Sequence, residues 1–337
     1  MRIAVIGAGA IGGLVAAYFK KAGLDVILIG RPDQVEAINT QGLSIDGVRG
    51  RENIKIPAAV KLDKACDLVI FATKTQDIEE AFAHNCDALE TGLVLTTQNG
   101  VQADNLLSSH FDRSRQLSSI VMFGATYVKP GHITFNFEGD WILGRPFGAL
   151  DPAAHQIAEV CSKAFKVDVV AEIMGMKYLK LFVNFNNCIP ALVGKSMQET
   201  FSDMDLCRLS IMLLKEGIGI VEASNIQLVS MPGFPKERIL GLAGMPLEQA
   251  AAIIHKTLTG LSAEPLYGSI LQSIMREKPS EIDFINGEMV QLARHMHMPC
   301  PLNAKVVDMV HKVEQIKRFY AVEEVKKMFN LHMAETK

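Results

Sequence analysis

An α/β chain, with a doubly wound parallel sheet in its first half and an all-α second half, is what these 337 residues predict. Three observations carry the prediction. A glycine-rich turn, Gly7-Ala8-Gly9-Ala10-Ile11-Gly12, stands between two short apolar runs, Arg2 to Ile6 and Val26 to Ile29, and a helical stretch follows the turn. Further apolar runs at 67–73 and 92–97 are continuous, as in strands buried on both faces of a parallel sheet. Beyond about residue 172 strand signals vanish and helical period takes over. The expected domains are therefore residues 1–171 and 172–337.

Taken in order, residues 2–29 read strand, G-x-G-x-x-G turn, helix (Gly13 to Lys21), strand. That is the context a dinucleotide fingerprint requires, and it makes the first domain Rossmann-type. Gly7 allows the tight turn, Gly9 lets a pyrophosphate approach the backbone, and Gly12 lets helix and strand pack closely. Ala8, Ala10 and Ile11 complete the turn, and the helix N-terminus attracts phosphate. The second strand ends in Leu28-Ile29-Gly30-Arg31-Pro32-Asp33. Arg31, not a carboxylate, holds the position that selects the cofactor; arginine accommodates the 2′-phosphate of NADP, whereas an acid would bind the ribose of NAD. NADP (NADPH) is the expected cofactor, the alternative being a solvated loop arginine. Asp33 is expected only to cap a helix.

A short helix over 34–41 and a polar, glycine-dotted stretch to Pro57 should follow. The next two strands end at Lys74-Thr75-Gln76 and Gln98-Asn99-Gly100, with a helix starting near Asp77. Gly9, Arg31, Lys74 and Asn99 thus all fall at strand carboxyl ends, where such sheets bind ligands. The runs 118–123, 132–137, 140–143 and 167–170 read as later strands, some antiparallel, completing the sheet, with a helix over 151–165 between them. Helices are then expected at 174–195, 205–224, 247–256, 264–277, 281–295 and 302–319. Residues 230–244 should be a loop or broken helix, and 333–337 a frayed end.

Composition excludes several classes. With 49% apolar and 21% charged residues, a net charge of −3 and a pI near 6.3, there is no basic footprint for nucleic acid. No apolar run approaches the roughly 20 residues of a membrane span, and the chain enters its first strand with no signal peptide, so a cytoplasmic protein is expected. Cys66, Cys86, Cys161, Cys188, Cys207 and Cys300 show no C-x-x-C spacing, and His295 and His297 do not share a helix face. No metal is expected. The second-half helices could support a homodimer.

The chemistry points to the second half. Lys180, Asn184 and Asn187 are spaced i, i+4, i+7 on an otherwise apolar helix and so need partners or a ligand. A partly desolvated lysine can serve as a proton donor. Ser280 and Asp283 fit a capping arrangement that would put Glu281 in a helix's first turn, where a carboxylate is favoured. Ser269 and Ser273 are i, i+4 on the preceding helix.

Over essentially its whole length the chain resembles the ketopantoate reductase (2-dehydropantoate 2-reductase) family. The pieces that carry the resemblance are the N-terminal G-A-G-A-I-G-G, Arg31, Lys74, Gln98-Asn99-Gly100, Lys180-Leu-x-x-Asn184, Ser269-Ile-Leu-Gln272 and Glu281-Ile-Asp-Phe-Ile-Asn-Gly287. The resemblance implies reduction of a hydroxyl-bearing 2-oxo acid by NADPH. It implies that Lys180 protonates the developing alkoxide and that Asn99 positions nicotinamide and substrate. Asn184, Ser269 and Glu281 would hold the substrate, while Arg31 and Lys74 would meet the cofactor's phosphate and ribose. Asn187 joins the substrate set by its place on the Lys180 stripe. Some members carry asparagine eight residues after the lysine; here that position is Cys188, and Ser273 stands four after Ser269. These departures keep open a relative acting on another 2-oxo acid or a related alcohol. A non-catalytic NADPH-binding regulator is the reading from another class.

Overall fold

In the computed structural model, which describes residues 1–262 and 264–331, the chain forms two compact units, Met1–Met174 and Gly175 onward. The first unit holds β1 (Arg2–Ile6), β2 (Asp25–Ile29), β3 (Leu43–Gly47), β4 (Glu52–Ile54), β5 (Ala58–Ala59), β6 (Leu68–Phe71), β7 (Leu93–Thr96), β8 (Gln116–Val121), β9 (Gly124–Lys129), β10 (His132–Phe137), β11 (Trp141–Gly144) and β12 (Val167–Val169). Its helices are α1 (Ala10–Lys21), α2 (Pro32–Gln41), α3 (Ile78–Asn85), α4 (Gln102–Leu107) and α5 (Pro152–Ser162).

The main sheet has eight strands in the order β12-β11-β8-β7-β6-β1-β2-β5, parallel except between β8 and β11. Successive residues feed opposite cores, as strand periodicity dictates. Ile3, Val5, Leu28 and Ile70 pack with α1 and α5; Ala4, Ile6, Val69 and Phe71 pack with Ile78 of α3 and Leu107 of α4. The sheet is therefore doubly wound, and the expected fold class holds.

The 132–137 run does not complete that sheet. It pairs parallel with β3 and antiparallel with β9 in a second, four-stranded sheet, β4-β3-β10-β9. The stretch before Pro57 supplies half of it. In β3, Leu43 and Ile45 alternate with Ser44 and Asp46, and the apolar pair is buried with Ile133 and Phe135 of β10. The surface they cover belongs to α1: a Cβ on Gly13 would sit 2.4 Å from Ile133 Cδ1. Every residue from Gly12 to Phe19 is buried, as befits a helix apolar all round.

The second unit contains α6 (Ile173–Asn184, beginning at the junction), α7 (Cys188–Val193), α8 (Met197–Phe201), α9 (Met204–Ala223), α10 (Glu237–Gly244), α11 (Leu247–Thr259), α12 (Ser269–Met275), α13 (Asn286–His295), α14 (Pro301–Ile316) and α15 (Val322–Met328). The helix expected over 174–195 is broken by a 3-10 turn at Phe185–Asn187. Pro190 explains the break, since it lacks an N–H and its ring crowds the carbonyl four residues back. The helix expected over 264–277 begins only at Ser269, because Pro265 and Gly268 keep the preceding chain extended. The one expected over 281–295 is a 3-10 turn (Ile282–Phe284) followed by α13. The capping pair also fails: Ser280 Oγ accepts weakly from the Ile282 N–H at 3.4 Å, while Asp283 turns to His311. Glu281 thus stands before a 3-10 turn, not in the first turn of an α-helix. The expected frayed segment, 333–337, lies outside the described residues. No helix among the described residues is long and apolar enough to cross a membrane.

Candidate active site

In the first unit the candidate cofactor residues share one sheet edge. The registers Ile6↔Ile29, Ile6↔Phe71 and Phe71↔Thr96 bring the carboxyl ends of β1, β2, β6 and β7 level. Gly7–Gly12, Arg31, Lys74 and Asn99 follow those ends in turn.

The glycines of the turn divide the work. Gly7 has φ +115, and a Cβ there would come within 2.7 Å of the Ala72 and Thr73 backbone. A Cβ on Gly12 would lie 2.0 Å from the Gly7 carbonyl oxygen. Gly9 is different: a Cβ there would meet nothing within 4 Å. The turn is thus closed beneath and open above Gly9, where Gly9 also begins α1. Gly9 has no side chain with which to cap α1 and no acid lies in its first turn, so neither offsets the positive end of the helix. Such a cradle fits a pyrophosphate.

Arg31 is exposed and begins α2 at its N-cap, with Asp33 in the first turn and Pro32 at the start. The residue that fixes this corner is Gln34. Its Oε1 accepts from the Arg31 backbone N–H at 3.0 Å, and its Nε2 donates to the Ala8 carbonyl at 3.0 Å. It also hydrogen-bonds the Tyr127 hydroxyl, whose pKa is raised chiefly by burial. Gln34 therefore ties the loop of Arg31 to the glycine-rich turn. Gln98 does the same for Asn99: its Nε2 donates to the Phe71 and Thr73 carbonyls at 3.0 and 2.9 Å. Asn99 is half-buried beside that lock, and part-exposed Lys74 starts a 3-10 turn.

In the second unit Lys180 and Asn184 lie four residues apart on α6, half-buried on one face. Asn187, shifted by the 3-10 turn, packs against α12: a Cβ on Gly268 would lie 2.6 Å from its Oδ1. That places Asn187 beside exposed Ser269, the first residue of α12. Burial pushes the Lys180 ammonium from 10.5 down to about 8; the neighbouring charge of Lys177 acts in the same direction, and Glu281 opposes them. Lys180 and Glu281 are thus electrostatically coupled across 101 positions of sequence. Cys188 is fully buried, its thiol donating to the Phe185 carbonyl at 3.0 Å and pushed up to about 12 by burial. A thiol so held is inert at neutral pH.

The first unit thus carries a glycine-rich turn that fits a pyrophosphate, with an arginine after the next strand, and the second a lysine electrostatically coupled to a carboxylate. Comparison with known proteins decides the lineage. The family model described as "Ketopantoate reductase PanE/ApbA" matches residues 3–146, and its C-terminal counterpart matches 172–314. The chain belongs to the ketopantoate reductase family. That membership makes it an oxidoreductase. Relatives named 2-dehydropantoate 2-reductase include one from Pyrococcus horikoshii, 29% identical over 90% of this chain and 94% of that protein. Another, from Archaeoglobus fulgidus, is 27% identical over 93% and 98%. Among solved structures, a PanE/ApbA family ketopantoate reductase from Ralstonia eutropha superposes with TM-score 0.78, 24% identity and coverage of 94% and 99%. A ternary structure of D-mandelate dehydrogenase with NADH and anilino(oxo)acetate gives TM-score 0.81 at 20% identity, covering 94% and 99%. The ketopantoate reductase fold is therefore shared with an enzyme of a different name.

Proposed function

We propose that the protein is an NADPH-dependent 2-dehydropantoate 2-reductase, reducing ketopantoate to pantoate for pantothenate synthesis in the cytoplasm. The observation that carries this reading is Lys180, held near pKa 8 next to Glu281 in a chain whose relatives bear that name. Residues 1–171 would bind NADPH, through Gly7, Ala8, Gly9, Ala10, Ile11, Gly12, Arg31, Lys74 and Asn99. When bound, NADPH supplies a hydride to the ketone carbon. Lys180 donates its proton to the ketone oxygen as negative charge builds there. An ammonium with pKa near the working pH is mostly charged yet gives up its proton readily. Its charge also stabilises that oxygen before transfer. Glu281 opposes the loss of that charge and, with Asn99, Asn184, Asn187 and Ser269, orients the carboxylate and hydroxyl of the substrate. The solvent then reprotonates Lys180. A homodimer is the proposed assembly.

A second reading, another 2-oxo acid of similar size, is favoured by Cys188 standing where some family members have asparagine. The test is NADPH oxidation by purified protein with ketopantoate, a panel of other 2-oxo acids, and an NADH control. Fast turnover with ketopantoate and NADPH supports the first reading; turnover confined to another 2-oxo acid supports the second. No turnover of any, with tight NADPH binding, defeats both.

A further inference from the structure

The segment that carries Glu281 forms a 3-10 turn and no α-helix. Two side chains of α14 grip that segment on either side. The Glu314 Oε1 accepts the backbone N–H of buried Ser280 at 2.8 Å. The His311 Nε2 lies 3.0 Å from Asp283 Oδ1, and its Nδ1 lies 3.2 Å from Glu314 Oε2. Each ring nitrogen of His311 thus faces a carboxylate oxygen. A carboxylate offers only acceptors, and a neutral imidazole has only one N–H. Both contacts are hydrogen bonds only when the ring carries two protons.

We propose that His311 acts as an imidazolium clasp between Asp283 and Glu314, a positioning residue that fixes the segment carrying Glu281. The clasp rests on the reading of Glu281 given above. Asp283 comes from the 3-10 turn and Glu314 from the histidine's own helix; they are the charges acting on the ring. Charges on α9 and α13, which also pack on α14, are not among those acting on the ring. Glu216 of α9 accepts the N–H groups of Leu302 and Asn303 at the far end of α14. On α13, Glu288 acts on Tyr178 and His295 Nδ1 contacts the Gln291 carbonyl. The two carboxylates outweigh burial and raise the His311 pKa above its ordinary 6.5. The clasp is therefore closed at low pH and opens as pH rises through that raised value, which loosens Glu281 and weakens substrate binding.

The experiment has two arms on the full-length protein. NMR titration of the histidine rings, with His311 assigned from His311→Gln, reads its pKa directly. The expected result is titration above 6.5, falling toward it in Asp283→Asn. Steady-state kinetics then compare the wild type with His311→Gln and Glu314→Gln. The KM for the 2-oxo acid should rise about three- to tenfold in either variant with kcat changed less, the scale of losing part-exposed ion pairs. The rise in wild-type KM with pH should flatten in His311→Gln. Hydrogen exchange at residues 280–284 should speed up in step. Titration of His311 at or below 6.5, or variants with wild-type KM and wild-type exchange at 280–284, overturns the clasp. If ketopantoate is not a substrate, the titration and exchange arms still decide it, so that failure is told apart from failure of the proposed reaction.

Discussion

Replacing Lys180 with methionine should stabilise the protein while abolishing turnover. Lowering the ammonium from 10.5 to about 8 corresponds to about 3 kcal/mol of cost for keeping the charged form in the fold. Methionine keeps much of the lysine's apolar stem and removes the charge. Lys180 retains some contact with solvent, and the substitution also removes a charge that Glu281 faces, so the recovered stability is roughly 1–2 kcal/mol. That corresponds to a rise in Tm of about 2–8 °C. The sign is checked by pH. Between about 8 and 10.5 the unfolded chain binds the proton that the folded lysine has lost, so wild-type stability improves as pH rises through that window. The Tm gap between variant and wild type should be full at pH 6.5 and close by about pH 10. Differential scanning fluorimetry at both pH values measures it, and kcat should fall by about 10²–10⁴ in parallel. A variant less stable than wild type at pH 6.5, or a gap indifferent to pH, would refute the idea that the fold holds a costly charge for chemistry.

Other expectations follow from the first unit. Arg31→Ala should weaken NADPH about tenfold or more while leaving NADH nearly unchanged, read by fluorescence titration of each. Gln34→Ala should weaken both cofactors alike, because it releases the Ala8 carbonyl and the Arg31 N–H together, each worth about 1 kcal/mol; loss of NADPH alone would contradict that role. Gly12→Ala places a methyl group 2.0 Å from the Gly7 oxygen and should cost more than about 2 kcal/mol on thermal unfolding, with dinucleotide binding lost. Gly9→Ala, where there is room, should keep wild-type stability and lose affinity only.

How much of this was legible depended on how local each cause is. The glycine turn between two apolar runs specified β1, α1 and β2, and Lys180 and Asn184 sit on one helix face as their spacing requires. Asn187 did not follow, because Pro190 acts four residues upstream of itself. The small sheet was half visible in the alternation of Leu43 to Asp46, but four residues between Gly42 and Gly47 read more simply as a loop. A stronger signal is the run Gly12 to Phe19 of α1: eight residues without a charge imply a helix covered on both sides. Gln34 shows the opposite limit. A glutamine third in a helix that starts with proline hints at a side chain folded back over the N-terminus, yet nothing local says it reaches Ala8. His311 and Asp283 meet over 28 positions, and only the packed fold joins them.

The covering of α1 by β9 and β10 sets a condition on how the chain can be made. The strands that close over α1 finish near residue 137, more than a hundred residues after the helix ends. A nascent chain that has emerged only as far as β7 carries α1 with an apolar flank open to water, and the long-range pairing that shields it forms slowly. The first strands and their helices cannot therefore be cut out as a free-standing module at residue 100. Fragments ending before Phe137 should be sticky and chaperone-dependent, and the shortest well-behaved piece of this unit must reach through β10.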